Sequence, residues 1–189
     1  MPRPLRTIDP DAIYHVGSRG SNRAQILWDS VDCETFTEEL ARTASRYRWS
    51  VLAWCLMPNH HHVVLRASQE RFSNGFHQLN GNYSRRTNRR HGRSDHLFKN
   101  RPWSRELDSP AHLINALVYV LRNPVKAGMC VRSHEWAYSS YRATVGLERP
   151  PAWLVVGEVL ALFDRKEDAA IRDLIDRVHD GHDLVSDTP

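Results

Sequence analysis

The stretch that most restricts the fold is Val51-Leu52-Ala53-Trp54-Cys55-Leu56-Met57, an apolar run cut by Pro58-Asn59 and resumed by His61-His62-Val63-Val64-Leu65. Two such runs around a short turn signal predict adjacent antiparallel strands joined by a tight hairpin. His60-His61-His62 stand at the head of the second strand, where successive side chains point to opposite faces. His60 and His62 therefore share one face, and His61 joins Val63 and Leu65 on the other.

The flanking pattern supplies the remaining elements. Ala12-Ile13-Tyr14-His15-Val16 is a short strand ending in the basic, turn-rich loop Gly17–Arg23. Asp32 can cap a helix whose apolar positions Phe36, Leu40, Ala44 and Tyr47 recur at helical spacing up to about Trp49. Phe72, Phe76, Leu79 and Tyr83 form the buried stripe of a second helix over 71–90, its opposite face polar and basic. After a turn at 91–95, an extended piece runs from His96 to about Leu107. Ser109-Pro110 then opens a helix through Asn123, which Pro124 and Gly128 end. Strand, helix, strand, strand, helix, strand predicts an α+β fold: a ferredoxin-like split βαβ antiparallel sheet with two helices on one face, an added third helix, and the other face left open.

The chain has 189 residues, enough for one main core. Glu148-Arg149-Pro150-Pro151 separates a body, 1–149, from an acidic appendage, 150–189, expected to form one amphipathic helix. The appendage carries nine acidic and four basic side chains, so of the total charge of +4 the body holds +9. A basic body suits a polyanionic partner. Six Trp, six Tyr and five Phe exclude a disordered chain. No apolar run is long enough to cross a bilayer and no apolar stretch follows the first residues, so a cytoplasmic protein is expected, one that is nucleoid-associated where its polyanionic partner is DNA. Cys33, Cys55 and Cys130, odd in number and without a C-x-x-C pair, point to reduced, inert thiols.

Two imidazoles on one strand face offer neutral lone pairs and make a half-site for a divalent cation, although a His-rich turn can also be purely structural. On the helix after Ser109, His112, Asn115, Tyr119, Arg122, Asn123 and Lys126 fall at steps of three and four along one edge. Tyr119 and Asn123 would present a phenol oxygen and an amide oxygen toward one point, unless Tyr119 is simply a core-edge aromatic. A phenol with a pKa near 10 attacks poorly at neutral pH unless a cation polarises its target. A phosphodiester bound by such a cation is the substrate that suits a basic body. Between 85 and 105, Arg85, Arg86, Arg89, Arg90, Arg93, Lys99, Arg101 and Arg105 face only Asp95 and are interleaved with Phe98 and Trp103. That mixture suits single-stranded or hairpin nucleic acid. Arg19 and Arg23 could follow a phosphate backbone from the first loop.

Tyr14-His15-Val16 with Ser18-Arg19-Gly20-Ser21-Asn22-Arg23, Met57-Pro58-Asn59-His60-His61-His62-Val63, Tyr119–Gly128 and Trp136-Ala137-Tyr138-Ser139-Ser140-Tyr141 together resemble, in order, the motifs of the HUH single-tyrosine transposases, and within them the REP-associated tyrosine transposase branch. The resemblance implies a metal-dependent nickase and strand-transferase of single-stranded DNA, with Tyr119 as nucleophile and His60, His62 and Asn123 as ligands of Mg²⁺ or Mn²⁺. Residue types alone would equally admit zinc. It further implies a 5′-phosphotyrosine, a free 3′-hydroxyl and, in this branch, a monomer rather than a homodimer. Expected DNA contacts are Arg19, Arg23, Arg85, Arg86, Arg89, Arg90, Lys99, Arg101, Arg122 and Lys126. The rival readings are a hairpin-binding derivative without turnover and a hydrolase that uses activated water. His61 departs from the family's bulky apolar residue and needs a hydrogen bond if it is buried.

Overall fold

A computed structural model describes residues 12–99 and 101–180. β1 (Ala12–Arg19), β2 (Ser50–Met57), β3 (His60–Ala67) and β4 (Trp103–Glu106) form one sheet in the order β2-β3-β1-β4. Every neighbouring pair is antiparallel. With α1 (Ser30–Tyr47) between β1 and β2 and α2 (Gln69–Arg90) between β3 and β4, this is the expected split βαβ topology. α3 (Pro110–Lys126), α4 (Tyr141–Thr144), α5 (Val156–Leu160) and α6 (Glu167–Asp180) follow.

One core lies between α1, α2 and the sheet, where Phe36, Leu40, Phe76, Leu79 and Tyr83 meet Tyr14, Val16, Val63 and Leu65. The opposite face was expected to be open, and it is not. Val64, Leu52, Ala53, Cys55 and Met57 pack there against Leu113, Leu117 and Leu121 of α3 and against Val159, Leu160, Leu174 and Val178 of α5 and α6. The physical reason is area: each fully buried Leu or Val contributes about 1.5–3 kcal/mol, so an apolar α3 closes onto the nearest apolar strand face. A bulge assists. Val51 pairs with Leu65 and Ala53 with Val64, so Leu52 is an extra residue and both Leu52 and Ala53 face the second core. The acidic C-terminal segment accordingly forms two described helices rather than one, docked by their apolar sides. Leu154 and Val155 extend it along β2, with Val51 N donating to the Trp153 carbonyl and Val155 N to that of Val51. The Trp136–Tyr141 motif occupies the same outer edge of β2: Ser140 N donates to the Trp54 carbonyl, Leu56 N to that of Tyr138, and Trp136 Nε1 to that of Leu56. An edge strand is thereby capped by its own chain.

Three boundaries differ from the sequence reading. The cap of α1 is Asp29, which accepts from the Val31 and Asp32 amides. Asp32 lies inside the helix and accepts from Trp28 N and Arg90. The fourth extended piece is interrupted, pairing once at Phe98 with Gly20 and resuming as β4. α3 runs on through Pro124 to Lys126 before Gly128 turns at φ 67°. Proline in the last turn forfeits only the bond to the Val120 carbonyl, and the Ala127 amide still reaches the Asn123 carbonyl at 3.0 Å.

His61 is fully buried and finds the partner it needs, Asn80 Oδ1 at 3.0 Å, while Asn80 Nδ2 donates to Ser18 Oγ at 2.7 Å. Burial lowers its pKa from 6.5 to about 4. The unfolded imidazole protonates below 6.5 and the folded one only below about 4, so the stability present above pH 6.5 drains away as pH falls between those values. The slope is about 1.4 kcal/mol per pH unit for one such group. In urea unfolding at pH 7.5, 6.0 and 4.5, His61→Leu is expected to lose stability at neutral pH yet show a shallower acid slope, by about one proton; an unaltered slope would mean that His61 is already charged in the fold.

Candidate active site

The site forms where α3 ceases to cover the sheet. Antiparallel register sets Gly17 opposite His62 on one side and Trp103 on the other, and His15 opposite Arg105. Opposed residues share a face, so His15, His60, His62, Trp103 and Arg105 all belong to the face toward α3. Tyr119 of α3 places its ring edge-on against His62, with centroids 5.4 Å apart, and 5.8 Å from His15. Asn123, one turn further, is buried, and its Oδ1 lies 3.2 Å from His60 Nε2.

The hydrogen bonds define how the two histidines are presented. Asn59 Nδ2 donates to the Arg23 carbonyl, which leaves its Oδ1 to accept from His60 Nδ1 at 2.7 Å. His60 Nε2 is then a lone pair facing another acceptor, Asn123 Oδ1, an arrangement that a cation between them would relieve. Two ligands at right angles around such an ion are about 3 Å apart, close to the spacing observed. His62 Nδ1 is engaged with His15 Nε2 at 3.1 Å, and His62 Nε2 is buried without a partner. Burial lowers the pKa of both His60 and His62, which keeps their nitrogens available as neutral donors of electron pairs. Two imidazole nitrogens and one amide oxygen thus fit a divalent cation; among the described residues no three His, Cys, Asp or Glu side chains form a rival set.

The expected cations divide into two groups. Arg19 pairs in register with His60, and its charge helps lower the pKa of both histidines. Lys99 is exposed beside it, its amide bonded to the Arg19 carbonyl. Arg23 occupies the loop over the hairpin at φ 60°, Arg122 follows Tyr119 on α3, and Lys126 Nζ lies 5.4 Å from the Tyr119 ring centroid. Arg101 is exposed just before β4. The α2 arginines belong to the other layer: Arg86 pairs with Glu38 and Glu39, Arg90 with Asp29 and Asp32, and Arg85 bonds Asn82, while Arg89 is exposed. Spacing does not single out three neighbours, His15, Trp103 and Arg105; only the pairing of β1 with β3 and β4 reveals them. Burial raises the pKa of Cys33 to about 12 and holds that of Cys55 well above the usual thiol value, so neither supplies a thiolate.

A split βαβ sheet that offers a His-x-His pair to a helical tyrosine defines the single-tyrosine transposase class. The family model for IS200-like transposases matches residues 10–109, more than half of the chain, and the chain belongs to that family. That match contains the His pair; Tyr119 and Asn123 lie beyond it. A candidate REP-associated tyrosine transposase of Haemophilus influenzae is 24% identical over 127 residues, 61% of this chain and 72% of the relative. The solved structure of a REP-associated tyrosine transposase bound to a REP hairpin has the same fold, with a TM-score of 0.66 and 16% identity over 80% of this chain and 89% of that one. Among the described residues no helix is long and apolar enough to cross a membrane.

Trp103 lies flat over Gly17, where a Cβ would come within 2.6 Å of the indole. Gly17→Ala is expected to cost about 1–3 kcal/mol by overpacking and almost nothing when Trp103 is also Ala, measured by chemical denaturation as a double-mutant cycle. Equal losses in both backgrounds would show that the two residues do not meet.

Proposed function

We propose that the protein binds single-stranded or hairpin DNA and nicks and rejoins it through a 5′-phosphotyrosine on Tyr119, using a divalent cation, Mg²⁺ or Mn²⁺, held by His60, His62 and Asn123. The observation that carries this reading is that His60 Nε2 lies 3.2 Å from Asn123 Oδ1 while the His62 ring stands 5.0 Å from that of His60 and 5.4 Å from that of Tyr119. Bound there, the cation would draw charge from a non-bridging phosphate oxygen. Tyr119 Oη forms the new bond to phosphorus while the bond to the 3′-oxygen breaks; the phenol proton passes to solvent and the leaving oxygen takes one up as a 3′-hydroxyl. Because the phosphotyrosine keeps the energy of the broken ester, the same strand end can be rejoined without ATP. Arg19 opposite His60, Lys99 bonded to the Arg19 carbonyl and Lys126 beside the Tyr119 ring are the cations proposed to meet the phosphate backbone.

Family membership and the hairpin-bound relative support nucleic acid as the partner. All four named side chains come from one chain, which favours action as a monomer.

Labelled hairpin oligonucleotides incubated with the protein and Mn²⁺ are expected to give an SDS-resistant adduct on a denaturing gel. Chelation should remove it, and Tyr119→Phe should lose it while retaining binding. Free nicked product without adduct would favour a water-using hydrolase, and binding without any cleavage a transposase derivative that no longer turns over.

A further inference from the structure

His15 has no part in the reading above, yet it is buried and in contact with the site. From β1 its ring lies 5.1 Å from that of His62, 4.7 Å edge-on from Trp103 and 5.8 Å from Tyr119. Its Nε2 is 3.1 Å from His62 Nδ1, and one of these two nitrogens must donate to the other. If His15 donated, His62 would carry its own proton on Nε2, a buried N–H that has no acceptor and that no cation could meet. With the reverse direction, His62 Nδ1–H donates to His15 Nε2 and His62 Nε2 becomes an unshared lone pair. The neighbouring ligand is arranged alike: His60 gives its Nδ1–H to Asn59 Oδ1 and turns Nε2 toward Asn123.

We infer that His15 is the positioning residue of this site, accepting the His62 Nδ1–H so that His62 is locked in the tautomer and ring orientation that aim Nε2 at a divalent cation. His15 is to His62 what Asn59 is to His60, a partner behind the ligand rather than a ligand itself. Groups of this kind set ligand orientation and basicity, and their loss weakens metal binding about ten- to a hundredfold. Trp103 and Gly17 contribute by holding the ring: the indole lies over the Gly17 backbone and abuts His15 edge-on. The inference rests on the metal reading given under Proposed function, but its first test does not need the metal.

In the metal-free wild-type protein, long-range ¹H–¹⁵N spectra of the ring nitrogens at pH 7.5 should show His62 protonated on Nδ1. A proton on His62 Nε2 would overturn the inference. Mn²⁺ binding followed by electron paramagnetic resonance should weaken about ten- to a hundredfold in His15→Leu, which has no acceptor, and stay near wild type in His15→Gln, whose side-chain oxygen can accept the same proton. Circular dichroism confirms that each variant is folded. Wild-type affinity in folded His15→Leu would reduce His15 to a packing residue and overturn the inference. Absence of Mn²⁺ binding in the wild-type protein, with Nδ1 protonated as expected, would sink the metal reading and leave the tautomer assignment standing.

Discussion

Strand β3 is buried on both faces, and its alternation determines what each layer must contain. His61, Val63 and Leu65 require α1 and α2 above them, while His62 and Val64 require cover from below. α3 supplies that cover chiefly over β2 and β3. Where its apolar surface ends, Tyr119 and Asn123 come down beside the histidines at the hairpin end. The site is thus the boundary of a hydrophobic layer, held in place by both cores. That setting also explains a polar group in each layer. His61 meets Asn80 through Nε2, with Ser18 behind that amide, and His62 meets His15 through Nδ1, so each buried imidazole has one ring nitrogen engaged.

Element order, the hairpin, the two α helices of the upper layer and the His-x-His and Tyr-x-x-x-Asn pairs were all legible, because each rests on local periodicity or a turn signal. What stayed hidden depends on pairing across long sequence separations. His15 and Trp103 become neighbours of His62 only through β1, whose two partners are 41 to 55 and 86 to 92 residues away by register. The acidic segment looked like an appendage because charge dominates its composition. Its apolar positions Val159, Leu160, Leu174 and Val178 are what it uses against β2 and α3, while Leu154 packs into the other core. Likewise, the arginine run on α2 read as one basic face, but Arg86 and Arg90 neutralise carboxylates of α1, among them Glu39 and Asp32, whose side chains are 3% and 1% exposed. Unpaired in that position, those carboxylates would carry a large desolvation cost.

The cations that border the site are therefore fewer than composition suggests and come from different elements. Arg19 ends β1, Lys99 sits beside it, Arg105 lies on β4 and Lys126 closes α3. The loop after β1 ties Arg19 and Arg23 to the candidate ligand His60. Gly20, Ile26 and Leu27 amides donate to the hairpin carbonyls of Asn59 and Pro58, and the Arg23 carbonyl holds the Asn59 amide that orients His60. A movement of the basic loop would thus be felt directly at a candidate ligand.

One strand face and one helix are proposed to assemble a single cation site beside Tyr119. Anomalous scattering from crystals of the protein soaked in Mn²⁺ tests it most directly. One peak per chain, bonded to His60 Nε2, His62 Nε2 and Asn123 Oδ1, is the result the account predicts; saturating Mn²⁺ with no peak among these three atoms, or a peak bound by other residues, would contradict it.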